Sequence, residues 1–178
     1  LERIGSEYIL CKGNGSTVLE HPIVIAHYDH TQVWLNGAAN PVATLDAGEY
    51  LDVPTDAYSV GSNLYIRTSD PVFVYQMIGG TSEGDDALRT AGLIFVPPIS
   101  CGIPNAVDNI FQPNRIGTMK FEGGLMIVAM KDSAVTVRID GVVVPLGSYW
   151  PVPGNPDFVT YRNLELFSQA VTPATVSI

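Results

Sequence analysis

Apolar and polar positions alternate in short bursts along this chain, and the bursts have the length of strands. They fall at 8–10 (YIL), 23–26 (IVIA), 32–35 (QVWL), 64–67 (LYIR), 72–75 (VFVY), 93–96 (LIFV), 126–129 (MIVA), 135–139 (VTVRI) and 141–144 (GVVV). Their residues are largely β-branched or aromatic, and turn formers bound them. Turn signals every ~8–12 residues suit a β-sandwich or barrel. Helical periodicity finds little room, because 17 glycines and 13 prolines break almost every window of helical length. The one candidate helical turn is at 85–89, in the acidic stretch GTSEGDDALRT, and a loop is the other reading there.

A weak internal repeat organises these strands. Residues 25–42 lie against 128–146, with Ala26 on Ala129 and Asp29 on Asp132. After one inserted residue, Val33 meets Val137, Leu35 meets Ile139, Asn36–Gly37 meets Asp140–Gly141 and Pro41 meets Pro145. Residues 63–76 resemble 163–178, with Asn63 on Asn163, Leu64 on Leu164 and Pro71 on Pro173. The repeated unit has a physical logic. A strand ends at an aspartate that can accept backbone N–H groups in an Asx-turn. A second strand ends at Asn-Gly or Asp-Gly, the strongest short hairpin signal, because a type I′ turn needs positive φ at both central residues. A Gly-centred turn follows at Ala47, Gly48 and Glu49, and a strand pair closes around a turn at residues 68–71. The expected organisation is a first β-unit at 1–76, a connecting segment at 77–124 and a second, partly repeated unit at 125–178.

Composition narrows the function. The chain has 178 residues, of which 46% are hydrophobic and 15% charged, with a net charge of −9. No apolar run approaches the ~18–20 residues of a spanning helix, so this segment is not expected to insert in a membrane. The negative charge argues against nucleic acid, which demands clustered Lys and Arg, and against anionic membrane surfaces. It suits an extracellular module, or one that holds calcium. The chain starts at Leu1 without a positively charged leader and stops on a strand-like stretch, 174–178, which reads as a segment of a longer protein. Cys11 and Cys101 either form one disulfide, closing a loop of about 90 residues worth roughly 4–5 kcal/mol, or remain two buried thiols.

The stretch HYDHTQVWLNG at 27–37 has the look of chemistry. Yet the repeat keeps only the aspartate: His27 becomes Met130 and His30 becomes Ser133. The strand pleat places His27 and Asp29 on one face and His30 near the turn, so the three do not converge. The third histidine, His21, sits before Pro22, and zinc needs three or four suitably spaced ligands. Surface or half-buried strand histidines are the expectation. Calcium suits Glu83, Asp85 and Asp86, or Asp108 and Asn109, better than zinc suits the histidines, although no EF-hand spacing is present and solvated loop charges explain both groups. No G-x-S-x-G occurs, and KGNGS at 12–16 lacks the order of a phosphate-binding loop. Carboxylates paired in space for sugar hydrolysis leave no trace in a sequence, and no pair here has a reason to be perturbed. Trp34, Trp150, Tyr28 and Tyr149 suit either a glycan-stacking face or the core of a sandwich, and the sequence favours the core.

Several phrases together resemble the IgGFc-binding protein N-terminal domain family: YILCKGNGS, VIAHYDHTQVWLNG, ATLDAGEYL, NLYIRTSDPVFVYQ and LIFVPPISC. Asp29 and Thr31, Gly37, Gly48–Glu49–Tyr50 and Ser69–Asp70–Pro71–Val72 fit its unit pattern, while Gly147–Ser148–Tyr149 departs from it. The resemblance covers most of the chain and rests on turns and strand pattern. It implies a large secreted or surface protein of the kind found in gliding and filament-bearing Bacteroidota. Fc binding is not carried over, since no residues here support it.

The expectation is therefore an all-β fold of two related antiparallel β-units in sandwich-like form. The expected function is a non-enzymatic structural or adhesive module of a large extracellular or cell-surface protein. It would bind a glycan or protein ligand on a target surface, or pair with other domains or copies of its parent in filament assembly. The alternative is a carbohydrate-binding accessory domain of a secreted enzyme, acting through Trp34 or Trp150. No catalytic, cofactor-binding or metal-ligating residue is assigned.

Overall fold

The computed structural model describes residues 3–13, 20–58, 63–78, 92–99, 104, 106–111, 115–120, 124–163, 166 and 175–178. The fold is all-β and antiparallel. It divides into two compact units: Leu1–Ser100 with Val152–Pro156, and Cys101–Pro151 with Asp157–Ile178.

The first unit is built around one long strand. Its elements are β1 (Gly5–Cys11), β2 (Pro22–Ala26), β3 (Thr31–Leu35), β4 (Ala43–Leu45), β5 (Tyr50–Asp52), a 3₁₀ turn at Thr55–Ala57, β6 (Asn63–Ile78) and β7 (Gly92–Phe95). β6 carries four partners. β1 and β3 flank its first half, and β2 and β7 flank its second. β4 extends β3, and β5 extends β2. The register runs Val33↔Thr68 on one side of an interruption and Ala26↔Val72 on the other. Among the described residues, Ser69, Asp70 and Pro71 have no register partner on either edge. Here the structure differs from the expected turn at 68–71: the chain does not reverse but continues as a single strand. Proline has no N–H to donate, so it is tolerated inside a sheet only where the ladder is already broken.

The even positions of β6 form one buried row: Leu64, Ile66, Thr68, Val72 and Val74. They join Tyr8 and Leu10 of β1, Val24 and Ala26 of β2, Val33 and Leu35 of β3, and Leu45 of β4 in one core. Both halves of the sheet thus turn the same face inward, and the sheet curls on itself around that face. The fully buried Tyr8 secures the interruption: its hydroxyl accepts from the Gly5 N–H at 2.9 Å and donates to the Val72 carbonyl at 2.5 Å.

The second unit is assembled from shorter strands: β8 (Ile110–Phe111), β9 (Arg115–Ile116), β10 (Met119–Lys120), β11 (Leu125–Met130), β12 (Val137–Ile139), β13 (Val142–Val144), β14 (Trp150–Val152), β15 (Asn155–Asn163) and β16 (Thr175–Ser177). The tip joining β14 to β15 is the piece that belongs to the first unit. The sheets run β13-β12-β16-β8, β11-β15-β14 and β10-β9. The core here is thinner: fully buried Val137 is surrounded by half-buried Ile127, Ile139 and Val144.

The two turns aligned by the repeat share one backbone conformation. Asn36 and Gly37 have φ of 52° and 74°, and Asp140 and Gly141 have 49° and 81°. Asp140–Gly141 closes a two-residue hairpin, with Ile139 opposite Val142. Asn36–Gly37 makes the same tight reversal, Ala38 N–H donating to Leu35 carbonyl at 2.9 Å, but the next strand starts only at Ala43. The difference lies with Asn36, whose side chain is used elsewhere. Its amide donates to Ala57 carbonyl at 3.1 Å and accepts from Tyr65 N–H at 3.1 Å. The candidate helical turn at 85–89 lies outside the described residues.

Candidate functional site

The stretch from His27 to His30 is a loop pushed out between β2 and β3, two strands that lie end to end along β6. A second turn, at residues 46–49, is tied to it. Asp29 Oδ1 accepts from Ala47 N–H at 2.9 Å, and Asp46 Oδ1 accepts from His30 N–H at 3.1 Å. Gly48 N–H donates to Ala26 carbonyl at 2.9 Å, and Glu49 Oε2 accepts from Asp46 N–H at 2.8 Å. Two expectations are corrected here. Asp29 binds across to a neighbouring turn and not within its own Asx-turn, because that turn lies directly beside it. The histidines are not on a strand: both are exposed, and His30 has a left-handed φ of 59°. Among the described residues, no group of three His, Cys, Asp or Glu side chains could hold a metal ion. Asp108 and Asn109 are exposed. Glu83, Asp85, Asp86 and Cys101 lie outside the described residues, while Cys11 is half-buried.

The outward side of the β5-β2-β6-β7 half-sheet is the most distinctive surface of the first unit. Strand pairing fixes its rows, because residues directly opposite in an antiparallel ladder share a face. Tyr50 lies beside Ile25, and Ile25 beside Phe73. Asp52 lies beside Ile23, then Tyr75, then Phe95. Met77 lies beside Leu93. Tyr75 and Phe95 meet edge to face with centroids 5.6 Å apart, and the His27 ring stands against Phe73 at 6.0 Å. Ile23, Ile25, Phe73, Tyr75, Met77 and Phe95 are half-buried, whereas Tyr50 is 65% and Leu93 58% exposed. An apolar and aromatic surface with this exposure is the composition found at the centre of protein interfaces.

The corresponding side of the other half-sheet is partly covered, although Glu7 and Arg67 remain exposed on it. Ile9 and Tyr65 point outward there, yet both are buried. The tip Val152–Pro156 lies against this side, with Val152 and Asn155 buried too. Asn155 hydrogen-bonds the Tyr65 hydroxyl, which in turn donates to Glu7 Oε1. Burial, seconded by the Glu7 carboxylate, pushes the Tyr65 phenol up to about 12.

A buried polar cluster sits at the end of β1. Lys12 is fully buried, with Nζ 3.4 Å from Tyr58 carbonyl and 5.6 Å from the Tyr58 ring centre. Glu20, also buried, accepts from Gly13 N–H at 2.5 Å and from Gln76 Nε2 at 2.9 Å. Burial lowers the Lys12 pKa and Glu20 opposes that shift. Burial also raises the Tyr58 phenol. The side chains of Lys12 and Glu20 serve each other and the backbone, which is a structural arrangement.

The expectation that the four singled-out aromatics fill the core is overturned. The buried tyrosines are Tyr8, Tyr58 and Tyr65. Trp34 is half-buried on the outside of β3, with the Arg67 guanidinium 4.2 Å above its ring. Tyr28, Tyr149 and Trp150 are exposed. The physical reason is parity: Trp34 lies between Val33 and Leu35, and those two already face inward.

The sequence matches the family described as IgGFc binding protein over residues 1–177. The chain belongs to that family. It is a family of binding domains and not a known family of enzymes. No curated protein and no solved structure matches the chain. In this member of the IgGFc binding protein family, no helix among the described residues is long and apolar enough to cross a membrane.

Proposed function

We propose that the chain is a non-enzymatic adhesive module of a larger extracellular protein, and that it takes a protein ligand on the outward side of β5-β2-β6-β7. The observation that carries this reading is the half-exposed row Tyr50–Ile25–Phe73 with its neighbours Tyr75, Phe95 and Leu93. Membership of a binding-domain family and the acidic, strand-rich composition support it. Residues 1–76 and 125–178 are read as related units joined by 77–124, a view supported by the shared left-handed pairs Asn36–Gly37 and Asp140–Gly141.

A glycan is the second reading, favoured by one observation in the second unit. Trp150 is 58% exposed, and its neighbour Tyr149 stacks edge to face on Tyr161. The two readings separate on an array of surface proteins and glycans, probed with calcium and with chelator. Tyr50→Ser with Leu93→Ser should abolish retention on protein spots, and Trp150→Ala should leave it intact. The reverse pattern on glycan spots would transfer the function to the second unit.

A further inference from the structure

The charge around the apolar face is segregated. From Gly13 to Ile66 the chain has no Lys or Arg, but six carboxylates: Glu20, Asp29, Asp46, Glu49, Asp52 and Asp56. Four of these, Asp29, Asp46, Glu49 and Asp52, are exposed along one border of the face. Asp52 belongs to it directly, standing opposite Ile23 in the ladder, and its side chain is 62% exposed. Glu49 precedes Tyr50, and Asp29 and Asp46 are held on the two turns whose hydrogen bonds fix them beside the β2 and β5 ends. The nearest cation-forming partners within the border are imidazoles: His21 Nε2 at 3.0 Å from Asp52 and His30 Nδ1 at 3.1 Å from Asp46.

From this arrangement we infer that the partner of the face is a protein surface with an apolar centre and Lys or Arg along one side. The inference rests on the proposed binding role of the same face. The apolar rows supply burial without direction. The carboxylate border supplies direction, because it repels a like-charged surface and speeds the approach of an opposite one. A fixed border also costs little ordering on association, since Asp29, Asp46 and Glu49 are already tied by their backbone hydrogen bonds. Among the described residues the border runs along the β2 and β5 ends of the face, so the partner's basic residues lie to one side of its apolar centre.

Two synthetic amphipathic helices test this on the whole chain. Both carry the same leucine face, one flanked by lysines and the other by glutamates. The lysine helix should bind, roughly tenfold or more tightly than the glutamate helix, and the difference should shrink as NaCl rises from about 50 to about 500 mM. Glu49→Gln with Asp52→Asn keeps the acceptor oxygens and should remove most of the preference. Asp108→Asn with Asp132→Asn changes the net charge equally at exposed positions in the second unit, and should leave the preference intact. Equal loss in both double variants would overturn the border in favour of a net-charge effect. Equal binding of both helices, abolished by Tyr50→Ser with Leu93→Ser, would uphold the face and overturn the border. Binding of neither helix would overturn both.

Discussion

Gly37 and Gly154 meet backbone to backbone. A Cβ on Gly37 would lie 2.6 Å from the Gly154 Cα, and one on Gly154 would lie 2.3 Å from the Gly37 nitrogen. Both residues belong to the first unit, and both have positive φ, 74° and 81°. The contact lets the tip Val152–Pro156 come close enough for Asn155 to reach Tyr65. Neither glycine can yield without moving main chain.

Gly154→Ala should therefore cost more than its backbone conformation alone explains. Gly48 supplies the reference, since its φ is 86° and nothing lies within 4 Å of its Cβ position. Gly48→Ala should cost about 1 kcal/mol and Gly154→Ala about 3 kcal/mol or more, read from urea midpoints. Equal costs would mean that the tip does not approach Gly37.

Tyr8→Phe should destabilise by roughly 1–3 kcal/mol. The substitution keeps the ring but removes the hydroxyl that joins Gly5 N–H to the Val72 carbonyl in a buried setting. A urea unfolding curve unchanged from the parent would show that water or another group serves those two atoms.

Alkali should loosen the first unit through its buried phenols. Tyr65 has its pKa raised from 10.0 to about 12, and burial raises Tyr8 and Tyr58 in the same direction. Each holds its proton more tightly folded than unfolded, so its contribution is full below pH 10 and is lost as pH climbs through the folded value. Between pH 10 and 12 the urea midpoint should fall, and it should fall less in Tyr65→Phe. A parallel decline in both proteins would remove Tyr65 as a contributor.

Lys12→Met alone should destabilise, by about 3 kcal/mol, because it leaves the Glu20 carboxylate buried without its cation. Adding Glu20→Gln should restore much of the loss, since the amide oxygen still accepts from Gly13. The non-additivity of the two changes is the readout. Strict additivity would mean that the two charges do not sense each other.

Much of the architecture was legible because strand signals are local. The runs IVIA, QVWL, LYIR and VFVY all fall within strands, and both Asn36–Gly37 and Asp140–Gly141 adopt the left-handed turn their sequences demand. β15 escaped notice because NPDFVTYRN opens with turn formers and carries scattered polar residues. The continuity of β6 through Pro71 was hidden as well, since a proline flanked by Asp reads as a turn until its neighbours on both edges are known. The candidate face was half legible. Unbroken apolar runs such as VFVY announce strands apolar on both sides, which ordinarily means burial on both sides. Only the assembled sheet shows that one of those sides remains half-exposed. The carboxylate border was the least visible part, because the turns that hold Asp29 and Asp46 meet only through contacts 16 and 18 residues apart in the chain.

β6 also sets the order in which the first unit can assemble. Tyr8 pairs with Ile66, Val33 with Thr68 and Val24 with Val74, so until β6 exists β1 has no partner strand, and β2 and β3 have only β5 and β4. During synthesis, β1 emerges unpaired and the pairs β2-β5 and β3-β4 keep one hydrogen-bonding edge open until β6 arrives. Such long-range pairing makes folding slow and exposes apolar edges in the interval. The tip at Val152–Pro156 comes later still, and until it docks, the Tyr65 hydroxyl lacks its Asn155 partner. A ribosome-bound chain truncated just after residue 100 should consequently hold a curled sheet with one side still open.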